Sequence, residues 1–139
     1  CTELGVDAEF LGYKSGEDLS THLYASDIFV LPGAGGLAIQ EAMAHGLPII
    51  ATFADGTEQE LVRDGKNGYL LKLGDVDAIT CAIAKLEASS ELRQQMSVES
   101  KKIIENEINI ENMSAQFANA VRSVHHGFRS PSDSAHQAT

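Results

Sequence analysis

The sequence predicts an α/β domain: a parallel sheet with helices on both faces. Three observations predict it. The apolar runs Ile28-Phe29-Val30-Leu31, Pro48-Ile49-Ile50-Ala51 and Tyr69-Leu70-Leu71 are continuous rather than alternating, as expected for strands covered on both sides. The segments between them carry helical spacing, which gives the order β-α-β-α. A glycine-rich turn, Gly33-Ala34-Gly35-Gly36, joins the first run to a short helix.

Size and composition agree with this class. At 139 residues the chain is one domain long and can bury a sizeable core. Its 43% apolar and 22% charged residues are the mix of a globular protein. No apolar run approaches the roughly 20 residues a membrane helix needs. The amino end, Cys1-Thr2-Glu3-Leu4-Gly5, lacks the basic and apolar regions of a signal peptide, and the absence of Met fits an excised or processed piece. Cys1 and Cys81 form no metal-binding pair and no disulfide framework, so a reducing, cytoplasmic setting is expected. A net charge of −10 excludes the basic field of a nucleic-acid binder. Any anion must therefore be held by main-chain N–H groups or by residues outside this chain.

A fourth strand is expected at Ala8-Glu9-Phe10-Leu11, ended by Gly12. Ser15, three residues before Asp18, reads as a cap for a helix carrying Leu19 and Leu23. Thr57-Glu58-Gln59-Glu60 fits the S/T-x-x-E capping box, which assigns Glu60 a structural role. Asp75 is placed to cap a helix whose core positions are Val76, Ile79, Ile83 and Leu86. Beyond Ser89-Ser90 two longer helices are expected. One carries Leu92, Met96 and Ile103; the other has an amphipathic stripe of Met113, Phe117, Val121 and Val124, read as core, with Gly127 placed to end it. Residues 128–139 lack periodicity and read as a mobile polar tail.

The informative stretch runs from Leu31 to Pro48. A buried strand ends, a glycine loop follows, a helix begins near Leu37, and Gly46-Leu47-Pro48 stops it. In open parallel sheets ligands bind beyond the carboxyl ends of the strands, where this loop must lie. Residues without side chains let a ligand approach the backbone, and the free N–H groups of a helix start favour an anion such as phosphate. Glu41 follows Leu37 by one helical turn, and helical side chains tilt toward the amino end. A carboxylate there repels phosphate but accepts hydrogen bonds from paired sugar hydroxyls. The residues alone therefore read either as a nucleotide site, with phosphate near Gly35 and Gly36 and ribose near Glu41, or as a tight turn with Glu41 on a solvated face. His45, beside Gly46, reads as a dipole or capping residue. Asp27 and Asp55 read either as turn residues or as neighbours of the site.

The run Gly36-Leu37 to Glu41-Ala42-Met43-Ala44, followed by Gly46-Leu47-Pro48-Ile49-Ile50-Ala51, resembles the carboxyl-terminal signature of glycosyltransferase family 4, the "glycosyl transferases group 1" domain. Ala25 to Pro32 is similar to the preceding strand, Glu60 to Leu71 with Gly74-Asp75 to the following turn and strand, and Phe10-Leu11-Gly12-Tyr13 to an upstream strand and loop. The resemblance covers about Val6 to Val124. It implies a Rossmann-like parallel sheet forming part of the C-terminal, donor-binding half of a GT-B fold over residues 1–127.

The resemblance also implies roles. In the family's Glu-x7-Glu motif the second Glu holds the donor ribose and matches Glu41. The first contacts the transferred sugar, and its position here is Gly33, a departure that leaves the contact to main-chain groups of the loop or changes donor choice. The loop around Gly33 and Ala34, with the amides matching Gly35, Gly36 and Leu37, faces the diphosphate and sugar; Gly12 and Tyr13 lie near the nucleobase. The implied reaction is retaining sugar transfer from a nucleotide-diphosphate sugar, with no metal, no DxD site and no cofactor beyond that substrate. The family's basic pair and acceptor-binding amino-terminal domain are not in this chain. The piece alone is thus expected to bind donor weakly without turnover, and any membrane association would run through other parts. Two other readings stay open: another GT-B-like sugar-nucleotide enzyme, and a non-catalytic nucleotide-binding or regulatory module.

Overall fold

The computed structural model describes residues 5–127, with side chains through residue 124. Phe29–Leu31 (β1), Ile49–Thr52 (β2) and Gly68–Leu71 (β3) form a parallel sheet in the order β1-β2-β3, with Val30 beside Ile50 and Ile50 beside Tyr69. Helix α1 (Gly16–Tyr24) precedes β1. Helices α2 (Gly36–Ala44) and α3 (Thr57–Leu61) make the two crossovers, and α4 (Val76–Ala88), α5 (Ser90–Asn106) and α6 (Ile110–Gly127) follow β3.

The central strand divides the core. Ile49 and Ala51 of β2 pack with Ile39, Ala42 and Met43 of α2, whereas Ile50 points the other way, toward Ala82 and Leu86 of α4. Strand alternation thus produces two apolar clusters on opposite faces, and the expectation of helices on both sides holds. Helix α5 reaches both, with Met96 in the α4 cluster and Ile103 in the α2 cluster. Each large side chain so buried contributes about 1.5–3 kcal/mol.

Local signals set the element ends. Helix α2 closes on Gly46 at φ 79°, whose N–H bonds to Met43 O at 2.9 Å while Leu47 N–H bonds to Ala42 O at 3.1 Å. This is the paired closure that a left-handed residue after a helix permits. Asp75 caps α4 by accepting from Ala78 N–H at 2.9 Å, and Ser89 Oγ caps α5 by accepting from Leu92 N–H at 3.2 Å. The turn before β3 is held by side chains: Asp64 Oδ1 accepts from Leu70 N–H at 3.1 Å, and buried Asn67 accepts from Arg63 N–H at 2.7 Å. At Gly68 a Cβ would lie 1.9 Å from Ile49 O, so only glycine lets β3 approach β2 there.

Five expectations are corrected. Ala8 to Leu11 is not a strand: these residues are exposed, Phe10 by 89%, and an apolar run without a neighbouring ladder leaves its N–H and C=O groups to water. Ser15 is the N-cap of α1 but makes no side-chain cap bond, and Asp18, the other half of the expected box, is turned to Lys14 at 2.8 Å. Thr57 is the first residue of α3 rather than its cap, so the capping box does not form and Glu60 is exposed. Val76 and Ile83 are exposed on α4, whose buried positions are Ala82 and Leu86. The α6 stripe of Met113, Phe117, Val121 and Val124 is also exposed, since nothing among the described residues covers that face. Residues 128–139, read as a mobile tail, lie outside the described residues.

Candidate functional site

The loops that leave the carboxyl ends of the strands, 32–35, 53–56 and 72–75, lie along one edge of the sheet. The loop before α1 carries Gly12 and Tyr13, and α1 leads to the start of β1 through the short segment 25–28. Gly33, Ala34, Gly35, Gly36 and Leu37 form the first of the strand-end loops and the start of α2, while a Cβ on Gly12 would meet nothing within 4 Å. Tyr13 is 92% exposed, and the cation next to it, Lys14, is engaged by Asp18.

Helix α2 starts on a glycine. Gly35 is its N-cap, no side chain caps it, and no acidic residue stands in its first turn. The first amides of a helix have no intrahelical acceptor, and the aligned peptide dipoles add positive potential at that end. Close packing also enforces the glycines here. A Cβ on Gly36 would sit 2.4 Å from Thr57 Cγ2, so the start of α2 lies flush against the start of α3. Gly33 differs: a Cβ there meets nothing within 4 Å. Its lack of a side chain is therefore not required by packing.

Glu41 lies one turn along α2 from Leu37, and both are exposed. Its carboxylate makes no ion pair among the described residues. Its main-chain carbonyl is occupied by His45, whose N–H bonds to it at 3.2 Å and whose Nδ1 lies 2.8 Å away. His45 is the C-cap of α2 and meets the Tyr24 ring edge-on at 4.6 Å. That is the capping role its position suggested, at the far end of α2 from Gly36.

The two undecided aspartates separate. Asp27 pairs with Arg93 Nε at 3.6 Å beside a cavity of about 280 Å³ lined also by His45 and Gln94, at the strand starts and away from the glycine loop. Asp55 is a turn residue on the loop edge. It accepts from Thr57 N–H at 3.0 Å, and that backbone bond holds its carboxyl below the ordinary value of 3.8.

Glu58 was not singled out by the sequence. It is fully buried; its Oε2 accepts from Gly56 N–H at 3.1 Å and Ala54 N–H at 3.4 Å, and its Oε1 has no hydrogen-bond partner among the described residues. The run Thr57 to Glu60 holds two glutamates, and spacing does not say which turns inward. The Asp55-Gly56 turn before them was the available signal, since it leaves free amides for a nearby acceptor.

The profile of the family described as "Glycosyl transferases group 1" matches residues 2–103. The chain belongs to this family. Among its relatives, the sulfoquinovosyl transferase SQD2 of Arabidopsis thaliana is 35% identical over 95 residues, covering 65% of this chain and 19% of that protein. The lipopolysaccharide core biosynthesis glycosyltransferase LpsE of Rhizobium meliloti is 33% identical over 101 residues, 69% of this chain and 29% of that one. The chain therefore spans less than a third of the length of these group 1 relatives.

Solved structures agree on the fold. The C-terminal domain of the group 1 protein LpcC from Francisella tularensis superposes with a TM-score of 0.63 at 30% identity, over 73% of this chain and 53% of that one. Sucrose-phosphate synthase from Thermosynechococcus elongatus superposes with a TM-score of 0.73 at 24% identity, over 86% of this chain and 30% of that one. The architecture is that of a GT-B glycosyltransferase domain.

Proposed function

We propose that this chain is the donor-binding part of a retaining glycosyltransferase that moves a sugar from a nucleotide-diphosphate sugar to an acceptor held by another part of the enzyme. The observation that carries the reading is the start of α2: glycine-built, without a side-chain cap or an acid in its first turn, at the sheet edge where open α/β folds take ligands. Membership of the group 1 family supports it.

In this reading the diphosphate sits over the amides of Gly35, Gly36 and Leu37. Both ribose hydroxyls donate to the Glu41 carboxylate, forming charge-assisted hydrogen bonds. Main-chain groups of Gly33 and Ala34 face the sugar where the Glu-x7-Glu motif that this sequence resembles has its first glutamate, and Gly12 and Tyr13 border the base. As the bond from the anomeric carbon to the diphosphate breaks, negative charge grows on the leaving oxygen, and fixed N–H dipoles stabilise it without reorganising. The acceptor hydroxyl oxygen bonds to the anomeric carbon from the same face, and its proton passes to the departing diphosphate. Cations that complete the neutralisation and groups that bind the acceptor come from outside this chain. Cys81 is exposed and makes no disulfide among the described residues, which fits a reducing compartment, the cytoplasm. Among the described residues no helix is long and apolar enough to cross a membrane.

Calorimetry with UDP, GDP and their sugars tests the reading. One nucleotide series is expected to bind, with no sugar transfer by the chain alone. A folded chain that gives no heat with any of them points instead to a non-catalytic module.

A further inference from the structure

A buried carboxylate oxygen without a partner costs about 1–3 kcal/mol, so its position needs a reason. Glu58 carries such an oxygen, and Thr52 Oγ1 is a second buried oxygen without a hydrogen-bond partner among the described residues. The two residues bracket the loop 53–57. Through Oε2, Glu58 reaches back to the amides of Gly56 at 3.1 Å and Ala54 at 3.4 Å, which folds this loop into a closed turn. Asp55 holds Thr57 N–H from the other side at 3.0 Å. The turn delivers Thr57, whose methyl carbon occupies the space a Cβ of Gly36 would need, 2.4 Å from that position. A chain of contacts therefore runs from the Glu58 carboxylate through the loop amides and Thr57 to the first residue of α2.

We infer that Glu58 is a positioning residue for the donor site: it holds the loop 53–57 as the wall that fixes the Gly35-Gly36 turn, so that the amides of that turn are set before a diphosphate arrives. The donor role rests on the function proposed above; the fixing of the turn does not. N–H groups that are pre-arranged bind an anion more tightly, because less conformational freedom is lost on binding. Sequestering a carboxylate away from the ligand also keeps its charge from facing phosphate oxygens, in a chain of net charge −10.

Glu58→Gln, which keeps the shape but weakens the charge-assisted bond, and Thr57→Ser, which removes only the methyl wall, test this in the 139-residue chain. The readout independent of any ligand is 15N relaxation. Order parameters of Gly35 and Gly36 are expected to fall from the rigid range near 0.85 toward about 0.6 in both variants, while those of β2 and α4 stay unchanged. In titrations with UDP and GDP, the variants are expected to bind the preferred nucleotide about tenfold more weakly, about 1.4 kcal/mol. Unchanged order at Gly35 and Gly36, or a loss spread evenly through the chain, overturns the inference. If Glu58→Gln does not fold, Glu58→Asp, which draws the carboxylate back from the Gly56 and Ala54 amides, takes its place in the same measurement, while Thr57→Ser tests the methyl contact by itself. Should the unmodified chain bind neither nucleotide, the donor reading fails, and the relaxation data still decide whether Glu58 fixes the turn.

Discussion

Asn67 and Leu61 are joined by a buried hydrogen bond, Nδ2 donating to the main-chain oxygen at 3.1 Å, while Oδ1 of the same side chain accepts from Arg63 N–H at 2.7 Å. One amide thus ties the end of α3 to the start of β3. Asn67→Ala leaves a buried carbonyl and a part-buried N–H unsatisfied and is expected to cost about 2–4 kcal/mol. A urea midpoint within experimental error of the parent's would refute this.

Gly68→Ala is expected to be more damaging. Its Cβ would meet the main-chain oxygen of Ile49 at 1.9 Å, inside the β2-β3 ladder, where no flexible side chain can give way. A loss above about 4 kcal/mol, or no folded protein, is expected by circular dichroism. Recovery of a stable, cooperative variant would mean that the two strands are not in this register.

Glu41→Ala separates the site from the scaffold. The side chain is exposed and makes no ion pair among the described residues, so the melting temperature should stay constant. Nucleotide affinity should fall at least about tenfold, the value of one charge-assisted hydrogen bond. Equal affinity in the two proteins removes Glu41 from the ribose.

Gly33→Glu should fold as well as the parent, because a Cβ there has open space and its φ lies outside the left-handed region. The proposed function predicts a gain in affinity for a sugar nucleotide over the free nucleotide, read by paired titrations. A drop in stability would show that the loop needs glycine at this point for a reason other than space.

Acid should release two surface contacts. Hydrogen bonding to Lys14 holds Asp18 below its ordinary value of 3.8, and hydrogen bonding to Arg63 holds Glu107 below 4.5. When the folded value is depressed, the unfolded chain takes up the proton first as pH falls. Each pair's contribution is therefore complete above the ordinary value and lost as pH falls through the folded one. The melting-temperature difference between the parent and Glu107→Gln should shrink from about pH 7 to about pH 2 and be smaller in high salt. A gap that does not change over this range argues against the pair.

Much of the fold was legible because its signals are local. Continuous apolar runs marked β1, β2 and β3, Asp75 and Ser89 marked two helix starts, and Gly46 marked a helix stop. Each depends on neighbours within a few residues. The glycine turn and the place of Glu41 one turn into α2 were legible for the same reason, since strand, loop and helix follow one another directly in the chain.

What the sequence by itself determined, then, is the order of β1 to β3 with the helices between and after them, the sheet edge that carries the glycine turn, and the family. Tertiary structure alone decided which of two neighbouring glutamates is buried, that Thr57 rather than a cap meets Gly36, and that Phe10, Ile83 and the α6 stripe remain uncovered. Periodicity says which residues share a face. Whether that face meets another element depends on contacts between segments distant in the chain, and a one-dimensional pattern does not carry those distances.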